Sequence, residues 1–271
     1  MTKQSKQAVG IFDSGIGGLT VAHAVAKLLP HEDIVYFGDT AHLPYGDKST
    51  AAIQSYAVKI CDCLLQQECK VILIACNSAS AAAYELVKEY VGSRALVLDV
   101  IEPIIQFFSQ QSELKKVGLI GTRQTVNSNI YKKKLDFLGQ GIELQALATP
   151  MLAPMIEEGW CNNVIIDSVL EAYLSDPVLA QVEALILACT HYPLVKKRIE
   201  AFYQNKVDVI DGSLYAAKAL QHLLREKKLL NSQAREGKLH FYVSDYTDSF
   251  AQSAALFFQD KVTLEHYPLW E

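Results

Sequence analysis

The chain is expected to fold as an α/β protein with two parallel sheets, each covered by helices on both faces. Three observations point there. Strand-length apolar runs alternate with longer amphipathic stretches along all 271 residues, the pattern of βα units. One such run, VILIACNSAS (71–80), recurs as ALILACTHYP (184–193), which suggests two related halves. No linker rich in Gly, Ser or Pro and no low-complexity stretch interrupts the series.

In order, the expected strands are AVGIF (8–12), DIVYFG (33–38), VILIAC (71–76), ALVLDV (95–100), KVGLIGT (116–122), IELQALAT (142–149), ALILAC (184–189), VDVID (207–211) and KLHFYVSD (238–245). Helical patterns of ten to twenty residues separate them. Strand spacing places one domain in residues 1–98 and a second in 99–210. The tail, 211–271, reads as helix, strand, helix; about 60 residues are marginal alone, so it is expected to return to the first domain.

Half of the residues are apolar, enough for a sizeable core. A net charge of -5 argues against nucleic acid or an anionic membrane as the main partner. The apolar segment 95–108 is broken by Asp99, Glu102 and Pro103, so no membrane span is expected. The first residues, MTKQSKQAVGIFDSG, lack a signal-peptide core, and a cytoplasmic location follows as an expectation. The six cysteines (61, 63, 69, 76, 161 and 189) make neither a disulfide framework nor a zinc-finger spacing.

Two loops stand out. In FDSGIGGLTV (12–21), glycines at a strand-to-helix turn let backbone N–H groups approach an anion. Thr20 stands where a dinucleotide loop needs its third glycine, and no P-loop Lys follows. Asp13, at a strand's carboxyl end, is expected to point into the crevice where such sheets bind ligands. The loop GDTAHLPYGDKS (38–49) is long for a βα connection. Its Pro44-Tyr45-Gly46 is a turn in which Tyr45 could act as a lid, and Asp47-Lys48-Ser49 approaches a helix N-cap.

Cys61, Cys63, Cys69 and Cys161 read as small buried hydrophobes. Cys76 and Cys189 differ, because each ends a strand where a helix should begin. A helix N-terminus can lower a thiol pKa from about 8.5, and reaching about 7 takes only about 2 kcal/mol. Asn77 and Ser78 follow one thiol; Thr190 and His191 follow the other. A Cys–His hydrolase would need one nucleophile and one base, a thiol–disulfide enzyme would hold its cysteines close in sequence, and a zinc site lacks a fourth ligand. Inverting a stereocentre by proton transfer does want a matched pair. One group takes the α-proton from one face and its twin delivers a proton to the other, provided the sheets meet edge to edge across a cleft.

The motifs FDSGIGG, GDTAHLPYG, LIACNSA, GTRQTVNS, LACTHYPL and IDG together resemble the glutamate racemases, of the cofactor-independent aspartate/glutamate racemase family. The resemblance spans most of the chain. It implies two doubly wound domains with the active site between them, a supply of D-glutamate for peptidoglycan, no cofactor, no metal, and an assembly that is often a homodimer. It makes Cys76 and Cys189 the acid/base thiols, acting on D- and L-glutamate respectively. Asp13 and Glu157 are then expected near the first thiol and His191 near the second. Substrate-binding groups would be Asp13, Ser14, Tyr45, Gly46, Asn77, Ser78, Thr125, Thr190 and His191. Two departures are Ser78, where the family usually has Thr, and Ala188, where it usually has Gly. An aspartate or broad-specificity racemase, a Cys–His thiol hydrolase and a non-catalytic anion-binding protein are the competing readings.

Overall fold

The computed structural model describes residues 4–271. The first half runs β1 (Val9–Asp13), α1 (Leu19–Leu28), β2 (Ile34–Gly38), α2 (Thr50–Gln66), β3 (Val71–Ile74), α3 (Asn77–Val91), β4 (Leu96–Asp99) and α4 (Glu102–Ser109). Next come β5 (Lys116–Gly121), α5 (Arg123–Asn127), α6 (Ile130–Phe137), β6 (Glu143–Ala148), α7 (Leu152–Glu157), α8 (Val164–Leu174), β7 (Ala184–Ala188), α9 (Lys196–Phe202) and β8 (Asp208–Asp211). The chain closes with α10 (Gly212–Glu226), β9 (Leu239–Val243), α11 (Asp248–Phe258) and β10 (Leu264–His266).

Two sheets result, ordered β10-β9-β2-β1-β3-β4 and β6-β5-β7-β8, with every strand pair parallel. The order 2-1-3-4 within the first matches 6-5-7-8 in the second, so the repeated Cys motif sits on equivalent strands, β3 and β7. In each sheet the winding reverses beside the first strand, between β1 and β3 and between β5 and β7. Ligands bind outside strand carboxyl ends at such a switch point. Both thiols stand there.

Alternation along the strands builds the core. Ile11, Val71 and Leu73 face a cluster that also contains Leu185 and Leu187 of the second sheet, together with helices α1 and α10. Phe12, Ile72 and Ile74 point the other way, against α2 and α3. Ala184 and Ile186 join α4 and α6 on the second sheet's far face. Successive side chains of a strand alternate faces, which is why these strands are apolar throughout. The shared cluster packs the two sheets as one body. The loops at their strand carboxyl ends come together.

All nine expected strands are present. β10 is additional: Leu264-Glu265-His266 is short and mostly exposed at the sheet's edge, so it carries no apolar run. The helices around β6 are also shorter than expected. Asn129 at φ 54° and Gly159 at φ 78° break that part of the chain into pieces. Among the described residues no helix is long and apolar enough to cross a membrane.

At the amino end of β3, Lys70 is fully buried, with Nζ donating to Glu32 Oε2 (2.5 Å), Ser5 O (2.8 Å) and Leu229 O (2.9 Å). Glu32 Oε1 also accepts from Asn231 N at 2.7 Å, so this pair ties the segment after α10 to the first sheet. Lys70→Met leaves a buried carboxylate without its cation and should cost about 3–5 kcal/mol. A urea titration reads this as a lower midpoint at unchanged slope; an unmoved midpoint would show that the pair does not hold that segment.

Candidate active site

The loops after β1, β2, β3, β5 and β7 converge on one cavity of about 30 Å³. Ser14, Tyr45, Gly46, Cys76, Asn77 and Ser78 line it from the first sheet, and Cys189, Thr190 and His191 from the second. Asp13, Thr125 and Glu157, expected as site residues, stand behind this wall. Pro44, Thr122 and Ala153 line it and were not anticipated. Thr122 carried a legible signal: it ends an apolar strand run and caps a helix, accepting from Thr125 N at 3.2 Å, as strand-end hydroxyl residues often do.

Cys76 is the N-cap of α3, and its sulfur accepts from Ala79 N at 3.4 Å. It lies 3.6 Å from Ser14 Oγ. The helix terminus was expected to lower this thiol's pKa, and the opposite holds. Burial pushes it up to about 12, with Asp13 adding repulsion that the Ala79 and Ser14 contacts do not offset. A thiolate without a cationic partner is too poorly solvated there. Cys76 is a thiol at neutral pH.

Cys189 is arranged differently. A 3-10 turn, Tyr192–Val195, follows it, and α9 begins only at Lys196. The expected α-helix N-terminus is therefore absent at this thiol, and His191 takes its place, with Nδ1 3.6 Å from Cys189 Sγ. His191 Nε2 is 2.9 Å from Glu157 Oε1. Burial alone would lower the His191 pKa, but Glu157 and Cys189 outweigh it and raise it well above the usual value. One ring orientation serves both protonation states. Nδ1 accepts from a thiol or, when protonated, donates to a thiolate, while Nε2–H stays on Glu157.

Glu157 thus acts on the Cys189 side, not beside Cys76 as the resemblance implied. Glu158 is exposed, which settles which of the adjacent carboxylates faces inward. Asp13 is completely buried and accepts from Gly15 N at 3.0 Å and from Thr190 Oγ1 at 3.4 Å. It sits behind Ser14 instead of pointing into the crevice. Burial raises its pKa despite His191 and the N–H groups of Gly15 and Gly18.

Four hydrogen bonds stitch the halves together around the cavity. Ser78 Oγ meets Thr122 Oγ1 at 2.8 Å and Thr125 Oγ1 at 3.3 Å. Tyr131 OH donates to Asn77 Oδ1 at 2.7 Å. Thr20 Oγ1 donates to Thr190 O at 3.0 Å. The glycines of the first loop serve the same end. A Cβ on Gly17 would lie 2.5 Å from His191 Nδ1 and 2.6 Å from Thr190 Oγ1. Among the described residues no group of three His, Cys, Asp or Glu side chains is placed to hold a metal ion.

Two thiols on equivalent strand ends of two doubly wound sheets line one cavity, an arrangement that fits the class of isomerases acting on a carbon acid. The comparisons with known proteins agree. The family model for Asp/Glu/hydantoin racemases matches residues 19–220. The chain is 36% identical over 256 residues to the glutamate racemase of Geobacter metallireducens, covering 94% of each. The crystal structure of the Francisella tularensis glutamate racemase in complex with D-glutamate superposes with a TM-score of 0.90 at 39% identity, over 98% of this chain and 99% of that one. The Bacillus anthracis isoform RacE1 superposes with a TM-score of 0.91 at 30% identity, over 96% and 97%. The chain belongs to the Asp/Glu/hydantoin racemase family, in its glutamate racemase branch.

The Glu157–His191 pair has a measurable consequence. Because its folded pKa is raised, protonated His191 stabilises the fold fully below the ordinary value of about 6.5. That contribution fades as pH rises through the raised value. Glu157→Gln removes the carboxylate's share of that rise, so His191 should deprotonate at a lower pH than in the wild type. Imidazole nitrogen NMR across a pH series reads it directly, and an unchanged titration would show that Glu157 does not govern His191.

Proposed function

We propose that Cys76 and Cys189 are the acid and base that interconvert L- and D-glutamate without a cofactor, supplying D-glutamate for peptidoglycan. The observation that carries this reading is the pair of thiols at equivalent strand ends lining one cavity. In the L-to-D direction, Cys189 as thiolate, paired with protonated His191, removes the α-proton. Cys76, a thiol at rest, protonates the opposite face. In the D-to-L direction the two exchange roles, so the proton first has to leave Cys76. Ser14, Asn77, Ser78, Thr122 and Thr190 are the donors for the substrate carboxylates and for charge that develops on deprotonation. Asp13 supports Thr190 and the Gly15 backbone from behind, and Tyr45 and Gly46 form the remaining wall.

Residues 1–98 with 211–271 are assigned to the unit that carries Cys76, and 99–210 to the unit that carries Cys189. β9 and β10 pair into the first sheet, which supports that division. Glutamate as substrate is supported by the D-glutamate complex of the Francisella relative. A cytoplasmic location and a homodimer belong to the same reading.

The test is incubation with L-glutamate in D2O and no added cofactor. The wild type should exchange the α-hydrogen and lose optical rotation; a thiol hydrolase or an anion-binding protein would do neither. Cys76→Ala and Cys189→Ala should each lower turnover by about 10⁴-fold, the upper end for a general acid or base. Either variant retaining about a tenth of the wild-type rate would overturn the two-thiol mechanism.

His191→Asn tests the Cys189 arm separately. The enantiomers have equal free energies in water, so kcat/KM must fall by the same factor in both directions, here by about 10²-fold or more. The asymmetry shows elsewhere: the α-deuterium isotope effect should grow for L-glutamate, whose proton Cys189 removes. Growth confined to D-glutamate would place His191 on the other thiol.

A further inference from the structure

Asp39 directly follows β2, on the same sheet edge as Asp13, and is completely buried. Four side chains from three parts of the chain donate to its carboxylate. Tyr45 OH reaches Oδ2 at 2.6 Å. Ser244 Oγ and Trp270 Nε1 reach Oδ1 at 2.7 and 2.8 Å. His42 Nδ1 lies 3.1 and 3.0 Å from the two oxygens. The Asp39 N–H donates to Asp13 O at 3.0 Å, which joins this hub to the strand end beneath the cavity.

Trp270 is the penultimate residue of the sequence. Its ring meets His42 edge-on at 4.4 Å and Tyr56 at 5.5 Å, and Lys59 Nζ lies 4.8 Å from its centroid. His42 in turn stacks on Tyr56 at 4.0 Å. The carboxyl-terminal segment therefore folds over the loop that ends in Pro44, Tyr45 and Gly46, three residues of the cavity wall. Tyr45 is 1% exposed and its phenol proton is committed to Asp39, so where the wall stands follows from where Asp39 is held. The space for error is small: a Cβ on Gly46 would come within 2.8 Å of Thr122 Cβ across the cleft. Hydrogen bonds to a buried carboxylate are short and strong, and linked donors reinforce one another.

We propose that Asp39, clamped by Trp270, Ser244 and His42, is the positioning residue for the Tyr45–Gly46 wall, so that a tryptophan at the far end of the sequence sets substrate affinity in a cavity it does not line. The inference rests on the reading above only in taking that cavity as the glutamate site. Neither residue touches the thiols, so the effect belongs in binding and not in proton transfer.

Trp270→Phe removes one N–H and keeps a ring among His42, Tyr56 and Lys59. Asp39→Asn keeps the shape but turns a donor pair toward Tyr45 or His42, which are themselves donors. Wild-type exchange of the glutamate α-hydrogen in D2O is measured first; its absence would overturn the proposed function, not this inference. With exchange established, KM for both enantiomers should rise about 3- to 10-fold in Trp270→Phe, the effect of one hydrogen bond, and further in Asp39→Asn. kcat should stay within about twofold and the isotope effects should not move, since acid–base geometry is untouched. The double variant should be no worse than Asp39→Asn alone, because both act through one carboxylate. Should Asp39→Asn fail to fold, Ser244→Ala takes its place beside Trp270→Phe with the same expectation. Wild-type KM in the folded variants, or a fall in kcat at constant KM, overturns the proposal.

Discussion

His191 of the second sheet's loop rests on the bare backbone of Gly17 in the first, and the rest of the site depends on that approach. Any Cβ at Gly17 would occupy the place of the imidazole and of Thr190 Oγ1. With the glycine there, Thr190 reaches both Asp13 and Thr20, and the two strand ends that carry thiols close on one cavity. The glycine-rich turn resembles an anion cradle in sequence, yet its glycines chiefly make room for another part of the same chain. Glycine permits such close backbone approach because it has no side chain to displace.

Equivalent positions do not give the two thiols equivalent chemistry. Cys76 is surrounded by hydroxyl and amide groups, with buried Asp13 nearby, and remains protonated far above neutral pH. Cys189 has a histidine held by a carboxylate, with Nδ1 3.6 Å from its sulfur. A reaction that runs in both directions needs one donor and one acceptor at any instant. The asymmetry lies in the residues behind each sulfur and leaves the equilibrium between enantiomers untouched. Two halves with one strand order thus differ in those residues.

The cleft's walls are held by residues distant in sequence. Tyr131 fixes the Asn77 amide from the opposite half, and Asp39 gathers donors from the β2 loop, the end of β9 and the carboxyl terminus. Parallel sheets make this economical: every loop at the strands' carboxyl ends lies at the same face, so side chains separated by more than 200 positions meet there. The C-terminal return of the chain accordingly contributes to the active face through Ser244 and Trp270 as well as lengthening the first sheet.

The apolar runs determined nine of the ten strands by themselves, because a strand buried on both faces must be apolar throughout. The repeated Cys motif likewise marked two equivalent strand ends that line one cavity, because the repeat is written in the chain itself. Tertiary structure alone decided the protonation of Cys76: a helix N-terminus is local and legible, but the burial that overrides it comes from packing of distant segments. It alone decided that Glu157 serves His191, that Asp13 and Thr125 stand behind the wall while Thr122 lines it, and that Asp39 collects Trp270. Hydrogen bonds and desolvation depend on separations in space that sequence spacing does not encode, whereas hydrophobic periodicity is written into consecutive residues.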